Sequence, residues 1–217
     1  MEVAEHLASE EICCVIIEGI QGVGGIIESS DKFLQFLRKE CTNTGTQLIL
    51  DEVQSGFGRT GYFFAHQYSG VRPDVITMAK GMGNGFPVGG ILIAPEIEAF
   101  PGMLGTTYGG NHLACAACLG VLEVLESENL MAHTQKMGAY LIERLSSFDG
   151  IQEIRGKGLM IGLEFSEPIA EMRKKLLYEQ FIFTGSSSNP NTLRLLPPLT
   201  ITQAQIDYFL DGLEQVI

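Results

Sequence analysis

Two short apolar runs, Leu48-Ile49-Leu50 and Val75-Ile76-Thr77-Met78, lead directly into charged chemistry, Asp51 after the first and Lys80 just past the second. Aliphatic runs of this length, rich in branched residues, read as buried strands. An earlier run, residues 12–17, reads as a strand covered on both faces and ends at Glu18. Between the two, Ser30 and Asp31 open a helix, Phe33, Leu34 and Leu37 mark its apolar face, and Gly45 closes it. Strand, helix, strand with hydrophobic strands is a βαβ unit and predicts a parallel sheet. Ligands of such sheets bind beyond the carboxyl ends of the strands, so Asp51 and Lys80 are expected to face one crevice.

The rest of the pattern adds the tail of a helix over 3–11, a strand over 88–94 and a helix over 112–126. An amphipathic helix to 145, a glycine-bounded hairpin over 151–165 and a helix over 168–178 follow. Short strands near Phe181 and Leu193 precede a final helix over 202–217. The glycine-rich stretch GIQGVGGII lacks phosphate-loop spacing and reads as a plain turn.

With 217 residues, 45% of them hydrophobic and only 18% charged, the chain can bury one large core or two small ones. A net charge of −12 argues against nucleic acid as a partner, so an anionic substrate must meet a local cation. Five cysteines cannot all pair. Cys13 and Cys14 read as small core residues with reduced thiols. Cys115 and Cys118 form a CxxC inside an alanine-rich helical pattern, with no second pair or nearby His, so no metal site is expected. No signal-peptide pattern or membrane-length apolar run is present, and the expectation is a cytoplasmic protein with no membrane partner.

An Asp and a Lys at neighbouring strand ends can form a salt bridge. They can also supply what pyridoxal 5'-phosphate needs, a lysine amine for its Schiff base and a carboxylate opposite its pyridine nitrogen. The surrounding text favours the second use. DEVQSGFGRTG and MAKGMGNGFPVGG resemble the signature blocks of class-III pyridoxal-phosphate aminotransferases, closest to the acetylornithine, succinylornithine and ornithine branch. The resemblance runs from about residue 12 to the C-terminus.

That resemblance implies an α/β type I pyridoxal-phosphate-dependent transferase fold. Residues 1–126 would be the C-terminal part of the large domain with its mostly parallel sheet, and 127–217 a small C-terminal α+β domain. It implies Lys80 as the catalytic Schiff-base lysine, Asp51 on the pyridinium, Val53 against one ring face and Gln54 on the phenolic oxygen. The block GTTYGGN implies that Thr107 reaches the cofactor phosphate of a neighbouring subunit, hence a homodimer with shared cofactor sites. Arg194, in TLRLLPPLT, is either a structural ion-pair residue or, by resemblance to RLxPPL, the fork that binds a substrate α-carboxylate.

One block departs from the family. Where relatives read EPxQGEGG, Glu18 and Gln21 match, but Gly19 replaces proline and Val23 replaces the glutamate that commonly pairs with the substrate-binding arginine. Glu18 stays a substrate-binding candidate, and Val23 strengthens a ligand as the partner of Arg194. His66 reads as a packed or solvated loop residue and His112 as a helix-start variation. The implied activity moves the ω-amino group of N-acetylornithine or N-succinylornithine to 2-oxoglutarate, giving the semialdehyde and glutamate, as in arginine biosynthesis. Ornithine δ-aminotransferase and 4-aminobutyrate aminotransferase share the same blocks.

A reading of a different class is a non-catalytic fragment or interaction module. The family's chains carry an N-terminal portion before the point matching Val3, with an SGAEA-like phosphate turn and an aromatic that stacks on the ring. Neither pattern is in these residues. On that reading the 217-residue chain alone is expected to bind cofactor weakly, to lack turnover and to self-associate.

Overall fold

The computed structural model describes residues 2–9 and 11–217. In chain order the elements are α1 (Glu2–Leu7), β1 (Cys14–Glu18), β2 (Ile20–Gln21), β3 (Ile27–Glu28), α2 (Asp31–Thr44), β4 (Gln47–Asp51), β5 (Val75–Met78) and β6 (Gly90–Ile93). Then come α3 (His112–Ser127), α4 (Leu130–Leu145), β7 (Ile151–Lys157), β8 (Met160–Phe165), α5 (Ala170–Tyr178), β9 (Gly185–Ser186), β10 (Thr192–Leu195) and α6 (Gln203–Glu214). They form two compact units. The first takes the residues up to Gly19 with Ser29–Phe57 and Phe64–Ser127, and the second takes Ile20–Glu28, Gly58–Phe63 and Glu128–Ile217.

The first unit is built on a four-stranded sheet in the order β1-β4-β5-β6, whose first three strands are parallel and whose last is antiparallel. The register sets Glu18 opposite Asp51 and Asp51 opposite Thr77. The α2 crossover that parallel pairing demands is fixed at both ends. Ser30 Oγ accepts the Phe33 amide at 3.2 Å, and Gly45 adopts φ 72°, where a side chain would be strained. Leu34, Leu37 and Cys41 of α2 pack against Leu48 and Leu50, together with Leu7 and Val71. Asp74 joins helix to sheet by accepting both the Leu48 amide, at 2.6 Å, and Arg38 Nη1, at 2.7 Å.

The two-sided cover expected for the first strand is not found. Val15 and Ile17 pack into the α2 core, but the alternating residue Ile16 is 60% exposed, as are the thiols of Cys13 and Cys14 in kind. The reason is position, because β1 is an edge strand and α2 lies against one face. Phe33, expected on the buried face of α2, is likewise on the exposed side.

The second unit is an antiparallel sheet in the order β7-β8-β10-β9. Its core joins Leu159, Ile161 and Leu163 to Met137, Leu141 and Leu145 of α4 and to Ile206, Leu210 and Leu213 of α6. Thr202 and Gln205 close a reciprocal cap on α6. The strand expected near Phe181 lies instead at Gly185–Ser186, opposite Leu193 and Arg194, while Phe181 is 82% exposed at φ 58°. The aromatic residues at 181 and 183 lie outside the sheet, and the pairing is made by the small residues that follow. The turn expected at GIQGVGGII is a small hairpin, β2 paired with β3. No helix among the described residues is long and apolar enough to cross a membrane.

Removing the α2 cap by Ser30→Ala should lower stability by about 1 kcal/mol, read as a lower urea midpoint with an unchanged slope. An unchanged midpoint would mean that Ser30 does not hold the crossover helix.

Candidate active site

Asp51 ends β4, and Lys80 stands two residues beyond the end of β5, its parallel neighbour, so both leave the sheet at the same edge. Glu18 ends β1 at that edge as well. The salt-bridge reading fails, since the Lys80 amine is exposed and makes no ion pair or hydrogen bond with any described residue. Asp51 Oδ1 accepts the Val53 amide at 2.9 Å, and no other described group engages its carboxylate. Thr77, opposite Asp51 in the register, has a buried hydroxyl without a partner among the described residues. A carboxylate, an amine and a hydroxyl left unused at one sheet edge are a donor and acceptor set that fits pyridoxal phosphate.

The backbone at Lys80 is unusual. It adopts φ 46°, a left-handed conformation that costs a residue with a Cβ about 1–2 kcal/mol. A tight turn holds it there, with the Met82 amide donating to the Ala79 carbonyl at 3.0 Å and the Gly83 and Asn84 amides to the Lys80 carbonyl at 3.1 and 3.2 Å. Backbone strain of this kind clusters at ligand-binding and catalytic positions in proteins. The described residues do not bury Lys80, whose side chain is exposed beside the glycine-rich turn that follows it.

Sequence reasoning missed the residue beside Asp51. Glu52 is 2% exposed, and its carboxylate accepts four hydrogen bonds: Ser55 Oγ at 2.6 Å, the Ala65 and His66 amides at 3.0 and 2.9 Å, and His66 Nδ1 at 2.8 Å. Burial pushes the carboxyl up, but the bonds from His66, Ser55 and the two amides outweigh it, so its pKa lies below the ordinary 4.5. His66 is therefore a buried partner of a carboxylate and not a solvated loop residue. Val53 and Gln54 follow half-buried, and Thr107 lies exposed in the bend before α3, where Asn111 caps the helix by accepting the Ala114 amide at 3.0 Å.

Arg194 belongs to the second unit. In the register it stands between Gly162 of β8 and Gly185 of β9, and Gly162 also faces Arg155 of β7, so both arginines leave the same sheet face across glycine. A Cβ on Gly162 would lie 2.9 Å from the Gly25 carbonyl and 3.0 Å from Ile26 Cβ. The β2–β3 hairpin thus sits on that face. Arg155 fastens it, donating to the Gly25 carbonyl at 2.8 Å while pairing with Glu164 at 2.6 Å. Thr192, with Arg155 and Asn189 behind it, holds the Glu164 carboxyl below its usual range. Val23, at the hairpin tip, is 58% exposed, with its carbonyl taken by the Ser188 amide. Arg194 Nε donates to the Ser186 carbonyl, and Arg194 is one of the residues around a groove of about 780 Å³ with Phe183, Thr184 and Phe209.

Three outcomes follow from the first unit. Glu52→Ala should destabilise the protein, because it leaves the Ser55 hydroxyl and the 65–66 amides buried without an acceptor, at about 1–3 kcal/mol for each unpaired group. Because the folded pKa of Glu52 is depressed, its contribution is complete above pH 4.5 and is lost as pH falls through the lower folded value. Urea midpoints of Glu52→Gln should accordingly depend less on pH below 4.5 than those of the parent, and parallel curves would contradict the assignment. Lys80→Gly, which relieves the left-handed strain, should be more stable than Lys80→Ala by up to about 1 kcal/mol.

Residues 1–217 match the family model described as aminotransferase class-III. The chain is 43% identical over 209 residues to the acetylornithine aminotransferase of Methanosarcina mazei, covering 95% of this chain and 52% of that protein. It is 38% identical over 218 residues to the ornithine aminotransferase of Oceanobacillus iheyensis, covering 98% and 54%. Its structure is similar to that of the ornithine aminotransferase of Plasmodium yoelii, with a TM-score of 0.89 and 33% identity over 99% of this chain and 59% of that one. The chain spans about half the length of the relatives it matches. The α/β architecture, the signature blocks and the match along all 217 residues agree: this chain belongs to the class-III aminotransferases, a pyridoxal-phosphate-dependent family.

Proposed function

We propose that this chain carries the lysine-bearing half of an aminotransferase site, in which Lys80 holds pyridoxal phosphate and Asp51 faces the cofactor's pyridine nitrogen. The observation that carries this reading is the pair itself, an unengaged amine and a nearly unengaged carboxylate leaving adjacent parallel strands at one edge. When bound, the cofactor supplies an electron sink for a carbanion at the substrate carbon. Lys80 Nζ would hold the cofactor and, as a free amine, would serve as the base that takes up and returns a proton. The Asp51 carboxylate keeps a proton on the ring nitrogen by charge-assisted hydrogen bonding.

Val53 would pack beside the cofactor, Gln54 would donate to it, and Thr107 would hold its phosphate from a second copy in a homodimer. Arg194 holds the α-carboxylate of glutamate or 2-oxoglutarate as a bidentate fork, with Glu18 near the substrate. By this reading residues 1–126 belong to the large cofactor domain and 127–217 to a small C-terminal domain. The amine donor is N-acetylornithine, which the name of the Methanosarcina relative favours, or its N-succinyl analogue. Ornithine itself is the second reading, favoured by the names of the Oceanobacillus and Plasmodium relatives.

Absorbance titration with pyridoxal phosphate tests the cofactor site. Asp51→Asn should weaken binding by about 10- to 100-fold, the loss of one charge-assisted hydrogen bond, and equal affinity would remove Asp51 from the site. In a protein competent for turnover, Arg194→Lys should weaken glutamate and 2-oxoglutarate by about 2 to 4 kcal/mol and the ω-amine donor far less, since a point charge replaces a fork. Equal losses for both substrates would refute a carboxylate-specific role.

A further inference from the structure

The pair Glu52 and His66 lies outside the chemistry just assigned, yet an unbroken series of contacts leads from it to the catalytic lysine. The Glu52 amide donates to the Thr77 carbonyl at 3.0 Å, so the residue extends the pairing of β4 with β5 past Asp51. Its side chain turns into the protein and gathers the 65–66 backbone and the His66 ring. That ring stacks on Phe64, with centroids 5.5 Å apart and planes 19° apart. Phe64 meets Phe57 edge to face at 6.3 Å and 83°.

Phe57 is buried in a left-handed conformation at φ 54°, and its Cβ lies 3.4 Å from where a Cβ on Gly81 would stand. Gly81 directly follows Lys80. A Cβ at position 81 would thus stand at ordinary van der Waals distance from Phe57, so the base of that ring lies directly beside the lysine turn. At the other end a Cβ on Gly56 would lie 2.8 Å from the Glu52 carbonyl, so the turn that carries Phe57 is closed on Glu52 itself. A carboxylate with four donors does not reorient without leaving several buried groups unpaired.

We propose that Glu52 and His66 are positioning residues, which hold the strained Lys80 turn in place through the Phe64 and Phe57 rings and so aim the lysine amine relative to Asp51. This rests on the proposed cofactor role of Lys80 and Asp51. A pair that merely stapled its own loop would affect residues 52–66 and leave the 79–84 turn untouched.

The test is hydrogen exchange by mass spectrometry on the full 217-residue chain, comparing the parent with Glu52→Gln and Phe64→Leu, followed by pyridoxal phosphate titration of each. Phe64→Leu removes the ring stack and keeps the apolar burial, so it carries the test if Glu52→Gln does not fold. Both variants should speed exchange in the 79–84 turn by about tenfold, as for residues in one packed network, with α2 and β1 unchanged. Cofactor affinity should fall in the same variants. Parent-like exchange in the turn, or a uniform rise over the whole unit, would overturn the positioning role. If the parent itself binds no pyridoxal phosphate, the cofactor reading fails while the exchange comparison still decides the coupling.

Discussion

Parallel pairing of β1, β4 and β5 is the constraint on which the candidate site depends. Parallel strands leave a sheet on the same side, and here that brings the ends at Glu18, Asp51 and Thr77 into one row. The crossover helix makes the arrangement possible by burying Leu34, Leu37 and Cys41 over Leu48 and Leu50. Hydrophobic burial therefore sets the fold, while the Asp51 carboxylate at the end of β4 accepts only the Val53 amide among the described residues. Lys80 extends the same logic. Its turn is strained, its amine has no described partner, and both facts are understandable if the position is kept for chemistry rather than stability.

The second unit solves a different problem, that of presenting a cation from an antiparallel sheet. Arg155 and Arg194 share a face, but glycine at 162 and 185 clears the space around Arg194, and the hairpin bearing Val23 occupies the seat over Gly162. Arg155 spends its donors on Glu164, Thr192 and Gly25. Arg194 instead donates to the Ser186 carbonyl and lies beside a groove that Phe183, Thr184 and Phe209 also line. An exposed Val23 offers no charge to compete for Arg194.

Local signals were legible in the sequence. The runs ending at Asp51 and Met78, the Ser30 cap, the Gly45 stop and the 151–165 hairpin all depend on residues within a turn or two of each other. Long-range pairings were not. Glu52 gives no hint of its burial, because its partner His66 is fourteen residues away. The exposure of Ile16 depends on which face α2 covers, and periodicity cannot report that for a continuous apolar run. The left-handed backbone at Lys80 was hidden because positive φ is inferred from glycine, and this residue is not one. For Arg194, the strand was readable but the glycines on either side became its neighbours only through the register.

The central claim is that the amine left free at the end of β5 is the one that holds the cofactor. Incubation with pyridoxal phosphate, borohydride reduction and peptide mapping by mass spectrometry address it directly. The account predicts a single reduced pyridoxyl adduct on the peptide containing Lys80, lost in Lys80→Ala. An adduct on another lysine with Lys80 unmodified would contradict it.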